Sequence, residues 1–300
     1  MGSAKEQLLG ALAVAAAASI WGTLGLFAKI LYADGVSFEA LVAVRASVGW
    51  LAILVFVVAT GGVKSLQVSR RDLAFLVPLG LIGIGAFYLF YFFAVQESEV
   101  GTAAILLYSS PAFVVLLAWL FLREPLGPAK VFALLLTLCG VFLVAGAYDV
   151  KNLEVTPLVL ATGLLAGLTY GLYSIFGRPV SGHLSPAVIL TYALLFGSIM
   201  LLPAAAPTLG TLAGLSAGSY ALLLMLSVVH TTMGFALYTF GLRRLGAGRS
   251  AIVATVEPVV AGAIGVVLLG EDTTVPKAAG AVLVLAGAAL AQVRARKARP

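Results

Sequence analysis

Residues 108–130 read YSSPAFVVLLAWLFLREPLGPAK, and residues 254–277 read ATVEPVVAGAIGVVLLGEDTTVPK. Laid together without a gap, Pro111 falls on Pro258, Glu124 on Glu271 and Lys130 on Lys277. The same register places Gly101 on Gly248 and Tyr91 on Tyr238, each pair 147 residues apart. One module therefore occurs twice in a single chain. Half-length repeats in an apolar chain imply a symmetric body with a site between its halves, the architecture of secondary transporters.

Composition fixes the solvent. The 300 residues are 62% hydrophobic and only 10% charged, whereas a soluble domain is about half apolar and about a quarter charged. Apolar runs long enough to cross a bilayer core of about 30 Å recur down the chain. The net charge of +6 is concentrated in short loops and in the tail Arg294, Arg296, Lys297 and Arg299. That distribution is explained by topology, and it offers no folded basic patch for nucleic acid. The single Cys139 excludes an intrachain disulfide and a Cys-x-x-Cys metal site. Lys5 followed by an Ala-rich run imitates a signal peptide, but the run continues through Trp21 to about Ile30. A signal-peptide core is about 7–15 residues, so this segment reads as the first spanning helix.

The apolar runs predict ten transmembrane helices, over 8–31, 38–60, 73–95, 102–122, 129–147, 156–177, 186–206, 219–241, 250–269 and 276–293. Turn chemistry separates them, as in Gly61-Gly62 and Gly246-Ala247-Gly248. Alternate loops from the N-terminus hold Lys5, then Lys64, Arg70 and Arg71, then Arg123 and Lys130, then Arg178, then Arg243, Arg244 and Arg249, then the basic tail. The other loops hold only Lys29, Lys151 and Lys277, mixed with acids such as Asp34, Glu97, Glu99, Asp149, Glu154, Glu271 and Asp272. The positive-inside rule then puts both termini in the cytoplasm. Five helices per half make the second copy enter from the opposite side. The expected fold is an all-α integral membrane protein of two inverted five-helix repeats, 1–147 and 148–300, forming one structural unit. The first helices of the halves match weakly, Trp21-Gly22 with Tyr170-Gly171 and Phe27 with Phe176.

A proline followed by Leu-x-Glu, a short loop and a Gly-rich helix, once per half, resembles the drug/metabolite transporter superfamily, in its ten-helix, two-repeat branch. The likeness covers essentially the whole chain and is best over Tyr108–Gly140 and Glu257–Gly287; Arg45, in LVAVRASVGWLAIL, also suits it. The sequence looks most like exporters of aromatic and other amino acids. The resemblance implies a multi-pass protein of the cell (inner) membrane that exports amino acids with broad specificity by alternating access. It implies no cofactor, and partners limited to the small-molecule substrate and the lipid bilayer. A duplicated chain already holds the pseudo-symmetry that shorter proteins obtain by dimerising, so a monomer is expected.

Candidate site residues follow from polarity at membrane depth. Tyr88 and Tyr91 share a helix face, and a phenol in hydrocarbon needs a partner or water. Pro111 frees a carbonyl one turn earlier, beside Tyr108, Ser109 and Ser110; Pro258 does the same in the other copy. Pro111, Pro258, Gly101 and Gly248 are the expected hinges. Glu257 is the sharpest candidate, because an acid at that depth costs roughly 2.5–3.5 kcal/mol. It is a coupling or structural acid. His230 and Thr231 form a polar stripe with Tyr238, and Trp21, Tyr170 and Tyr173 add aromatics from the first helix of each half. Packing is the competing account for each of these residues, and Arg45 reads as structural, snorkelling or paired with an acid. The rival to amino-acid export is export of hydrophobic cations or drugs through Glu257. An enzyme is not expected, since His-Glu-x-x-His, Gly-x-Ser-x-Gly and paired intramembrane carboxylates are missing.

Overall fold

The computed structural model describes residues 3–98, 100–148, 156–269 and 274–292. The basic tail from 293 onward and the loop holding Glu271 and Asp272 lie outside them, as do Glu99, Asp149, Lys151 and Glu154. Every regular element among the described residues is a helix, and there is no strand. Eight helical segments are long and apolar enough to cross a membrane. Two more, Pro128–Val144 and Val275–Leu290, are apolar but shorter. The ten expected segments are therefore all present as apolar helices, with edges displaced by a few residues.

The first span, Ala4–Ala33, is two helices, α1 (Ala4–Gly22) and α2 (Leu24–Ala33), broken at Thr23. The Thr23 hydroxyl donates to the Ile20 carbonyl at 2.7 Å, offering the backbone a local alternative to the helical bond. Helix α3 (Phe38–Gly61) is capped by Ser37. Helix α4 (Arg70–Gly80) starts in a capping box of Ser69 and Asp72, which satisfies two orphan N–H groups reciprocally. It passes through a π-helical stretch, Leu81–Ala86, into α5 (Phe87–Gln96). Helices α6 (Val100–Leu107) and α7 (Ser110–Leu122) are separated by a turn at Tyr108 and Ser109. Helix α8 (Pro128–Val144) begins with proline, whose missing N–H is harmless there.

The second half runs through α9 (Pro157–Val180), α10 (Pro186–Ala205), α11 (Ala217–Met225), the π-helical stretch Leu226–Met233 and α12 (Gly234–Leu245). It ends with α13 (Ala247–Ala254), α14 (Val256–Leu269) and α15 (Val275–Leu290). Here the π geometry has a visible local cause. The hydroxyls of Thr231 and Thr232 donate to the carbonyls of Leu226 and Ser227, five residues earlier, at 3.2 and 3.0 Å. π-helical turns of this kind gather at functional sites.

The element bounds recur at the spacing of the sequence repeat. Arg70 and Ala217, Val100 and Ala247, and Pro128 and Val275 are helix starts 147 residues apart. Both third spans carry a π stretch, and both fourth spans break just before Pro111 or Pro258. The first spans end at Ala33 and Val180, again 147 apart. That register matches Tyr170 with Thr23, a shift from the pairing with Trp21 that the residue types suggested.

Helices α8 and α15 meet along small residues. A Cβ added to Gly140 would lie 2.7 Å from the Gly280 carbonyl and 2.8 Å from Val284. One added to Gly287 would lie 2.8 Å from the Ala133 carbonyl and 2.6 Å from Thr137. Gly287 and Gly280 stand 147 residues beyond Gly140 and Ala133, so the contact is reciprocal. Reciprocal contacts are the mark of a two-fold interface. Small residues let two membrane helices approach closely where no hydrophobic effect drives them together.

Candidate functional site

The two broken fourth spans bring one polar cluster together at the centre. The turn at Tyr108 and Ser109 is fixed by the Ser109 hydroxyl, which donates to the Leu106 carbonyl at 2.6 Å. The turn at Thr255 is fixed by its hydroxyl on the Ile252 carbonyl, also at 2.6 Å. Pro111 and Pro258 each lie in the first turn of the helix that follows and cannot donate a backbone bond. Between the turns the Tyr108 phenol donates to Glu257 Oε1 at a long 3.5 Å. Tyr108, Tyr170, Tyr238, Ser110, Ser174 and Glu257 line a cavity of about 20 Å³. That is room for about one water. Glu257 has no ion-pair partner among the described residues, whose ion pairs are Lys130–Glu124 and His183–Asp72.

Aromatics extend from this cluster. Tyr170 lies against Trp21 and Phe87, with ring centroids 6.4 and 5.0 Å apart. Phe87 continues to Tyr88 and Tyr91 at 4.6 and 6.1 Å. Tyr88, Tyr91, Tyr108, Tyr170 and Glu257 are all only partly buried although they sit inside spans. Of these, Tyr108, Tyr170 and Glu257 face the cavity. Tyr173 does not join them. It is 1% exposed, and its hydroxyl is shared with Thr239 at 2.8 Å, so it packs behind the cavity wall. Tyr238 reaches the cavity edge with its hydroxyl held by Ser174 at 2.7 Å.

His230 and Thr231 form a second cluster. His230 Nε2 meets the Thr23 hydroxyl at 2.7 Å, and its carbonyl accepts from the Trp21 indole at 2.9 Å. Thr231 accepts from Arg45 Nε at 3.1 Å. Thr23, Arg45, Phe87 and Ser174 are residues that the sequence reading did not place in the site. The signal for Thr23 was the repeat register itself, which sets it opposite Tyr170. The Trp21–His230 bond ties α1 to the π stretch of the other half, so Trp21→Phe should lower stability by about 1 kcal/mol. Thermal unfolding in detergent measures this; an unchanged Tm would refute it.

The ends of the molecule differ. At the Arg-rich end, α7 packs on α13 through Val114, Ala118, Ala247 and Ala251. Glu124 closes the same end: its carboxylate accepts from the backbone N–H groups of Ala247 and Gly248 at 2.6 and 3.2 Å and from Lys130 at 3.1 Å. Beyond this contact lies a cavity of about 1020 Å³ bordered by Arg123, Lys130, Arg178, Arg243, Arg244 and Arg249. At the opposite end the matching positions are loose. Ala261 and Gly262, which correspond to the buried Val114 and Val115, are exposed. Of the expected hinges, Gly248 lies under the Glu124 carboxylate, and Gly101 lies in α6.

Comparison with known proteins identifies the class. The family model described as the EamA-like transporter family matches twice, over residues 8–146 and 157–292. The chain belongs to the EamA-like transporter family and is a multi-pass transporter of the cell membrane. An uncharacterised transporter of Archaeoglobus fulgidus is 30% identical over 94% of this chain and 96% of its own length. A protein of Streptantibioticus cattleyicolor described as a probable terminal-alkyne amino-acid exporter is 24% identical over 86% of this chain and 84% of its own. A solved crystal structure superposes at a TM-score of 0.81 with 19% identity, covering 97% of each chain; this likeness concerns the fold alone.

Proposed function

We propose that the protein is a secondary transporter that exports amino acids, aromatic and other, by alternating access through the cavity between two inverted five-helix repeats, 1–147 and 148–300, with both termini cytoplasmic. The observation that carries this reading is the polar cluster of Tyr108, Tyr170 and Glu257 at two matched helix breaks. Polar groups held at mid-membrane by broken helices mark transport sites. The double family match and the reciprocal α8–α15 contact support the repeat. The tight Arg-rich end and the loose opposite end support one state of a cycle in which the halves exchange conformations. An aromatic wall with few fixed charges suits amino acids of varied side chain, and the Streptantibioticus relative's description points the same way.

The test is uptake of labelled amino acids into liposomes holding the purified protein, beside a hydrophobic cation. Saturable uptake competed by several amino acids is expected. Glu257→Gln should lower it about tenfold or more, since the cavity loses its only acid among the lining residues. The unpaired state of Glu257 also favours the cation reading. Cation uptake without amino-acid uptake would establish that alternative and overturn the first.

A further inference from the structure

An arginine without an ion-pair partner among the described residues lies buried between the two halves. Arg45, on α3, is 3% exposed. Its Nε donates to Thr231 Oγ1 at 3.1 Å, and its guanidinium carbon sits 5.9 Å from the centre of the Tyr88 ring. No carboxylate among the described residues pairs with it, and its Nη1 and Nη2 make no hydrogen bond there. Thr231 comes from the second half, while Arg45 and Tyr88 come from the first. The group therefore sits between the halves, at the Tyr88 end of the aromatic row whose other end is Glu257.

A structural account of Arg45 is weak on energetic grounds. Burying a cation costs several kcal/mol unless a partner compensates. A single hydroxyl bond and one ring face do not satisfy a planar fork built to hold a carboxylate bidentately. A neutral glutamine would make the Thr231 bond without that cost.

We infer that Arg45 is the anchor for the carboxylate of the transported molecule. Arg45 takes the carboxylate with Nη1 and Nη2, while Nε stays on Thr231. The inference rests on the amino-acid reading and gives it a chemical rule: the carboxylate of the substrate is required.

The probes are phenylalanine, phenylalanine amide, which lacks the carboxylate, and 3-phenylpropionate, which lacks the amine. Saturable uptake of each is measured in liposomes with the wild type, Arg45→Gln and Arg45→Lys. The wild type should carry phenylalanine and discriminate against the amide. Arg45→Gln should lose phenylalanine affinity by about tenfold or more, equivalent to about 1.4 kcal/mol, with no further loss for the amide. Arg45→Lys should recover part of the loss, since it restores charge without the fork. Equal losses for phenylalanine and the amide, or phenylalanine affinity unchanged in Arg45→Gln, would overturn the anchor while leaving the transporter reading in place. If the wild type carries none of the three, the amino-acid reading falls and the anchor falls with it. Circular dichroism and monodisperse elution of each variant separate loss of fold from loss of recognition.

Discussion

Glu124→Ala should open the Arg-rich end of the protein. The Glu124 carboxylate holds two backbone N–H groups of α13 and the Lys130 ammonium, and it is the polar link between the end of α7 and the start of α13. An anion on orphan donors at a helix N-terminus is favoured by both hydrogen bonding and the helix dipole. Charge-assisted bonds contribute about 1.5–3 kcal/mol each. The group is 15% exposed, so solvent screening lowers the total, and about 2–3 kcal/mol is a reasonable loss. Since 1.4 kcal/mol is tenfold in an equilibrium constant, the closed contact should weaken by about 30- to 140-fold. The apolar contacts of Val114 and Ala118 with Ala247 and Ala251 remain. The end should therefore open more often without unfolding.

Ser250 reports that opening. It is fully buried in α13. A Ser250→Cys protein, with Cys139 replaced by alanine, should resist a water-soluble maleimide. Adding Glu124→Ala should raise the labelling rate about tenfold or more, and Glu124→Gln should give an intermediate rate, because its amide oxygen still accepts one bond. An unchanged rate in both would mean that the cap does not hold this end shut.

Sequence reading and structure meet at the repeat because both reflect the same local chemistry. Prolines and glycines punctuate an apolar chain wherever it lies, so the ten apolar segments were legible within a few residues. The broken fourth spans were legible too, since Pro111 and Pro258 cannot be accommodated silently. Tertiary partners were not. Nothing in the row of aromatics tells Tyr170, on the cavity wall, from Tyr173, three residues on and turned toward Thr239. Arg45 looked like a snorkelling residue because depth in the bilayer, not contact, was readable. Its neighbour Thr231 is 186 positions away. Glu124 was visible as half of a repeated motif, but its target, the first N–H groups of α13, depends on how one half docks on the other.

Gly280→Leu should cost the most stability of any single change considered. A Cβ at Gly280 would lie 2.6 Å from the Gly140 carbonyl and 2.7 Å from the Leu143 side chain. The carbonyl belongs to helix backbone and cannot swing aside, so α8 and α15 must separate. Overpacking a tight core costs about 1–3 kcal/mol for small insertions, and a whole leucine against backbone belongs at or above the top of that range. Separation would also undo the reciprocal contact at Gly287, one face of the same helix. The expected result is a fall in melting temperature in detergent of several degrees or loss of monodisperse protein. Gly280→Ala should show the same sign with a smaller size. The position facing lipid gives the control: Val282 is 65% exposed on the same helix, and Val282→Leu should leave melting unchanged. If Gly280→Leu melts with the control, α8 and α15 do not depend on close approach for their association. Their reciprocal small-residue contact would then be a trace of duplication and not a source of stability.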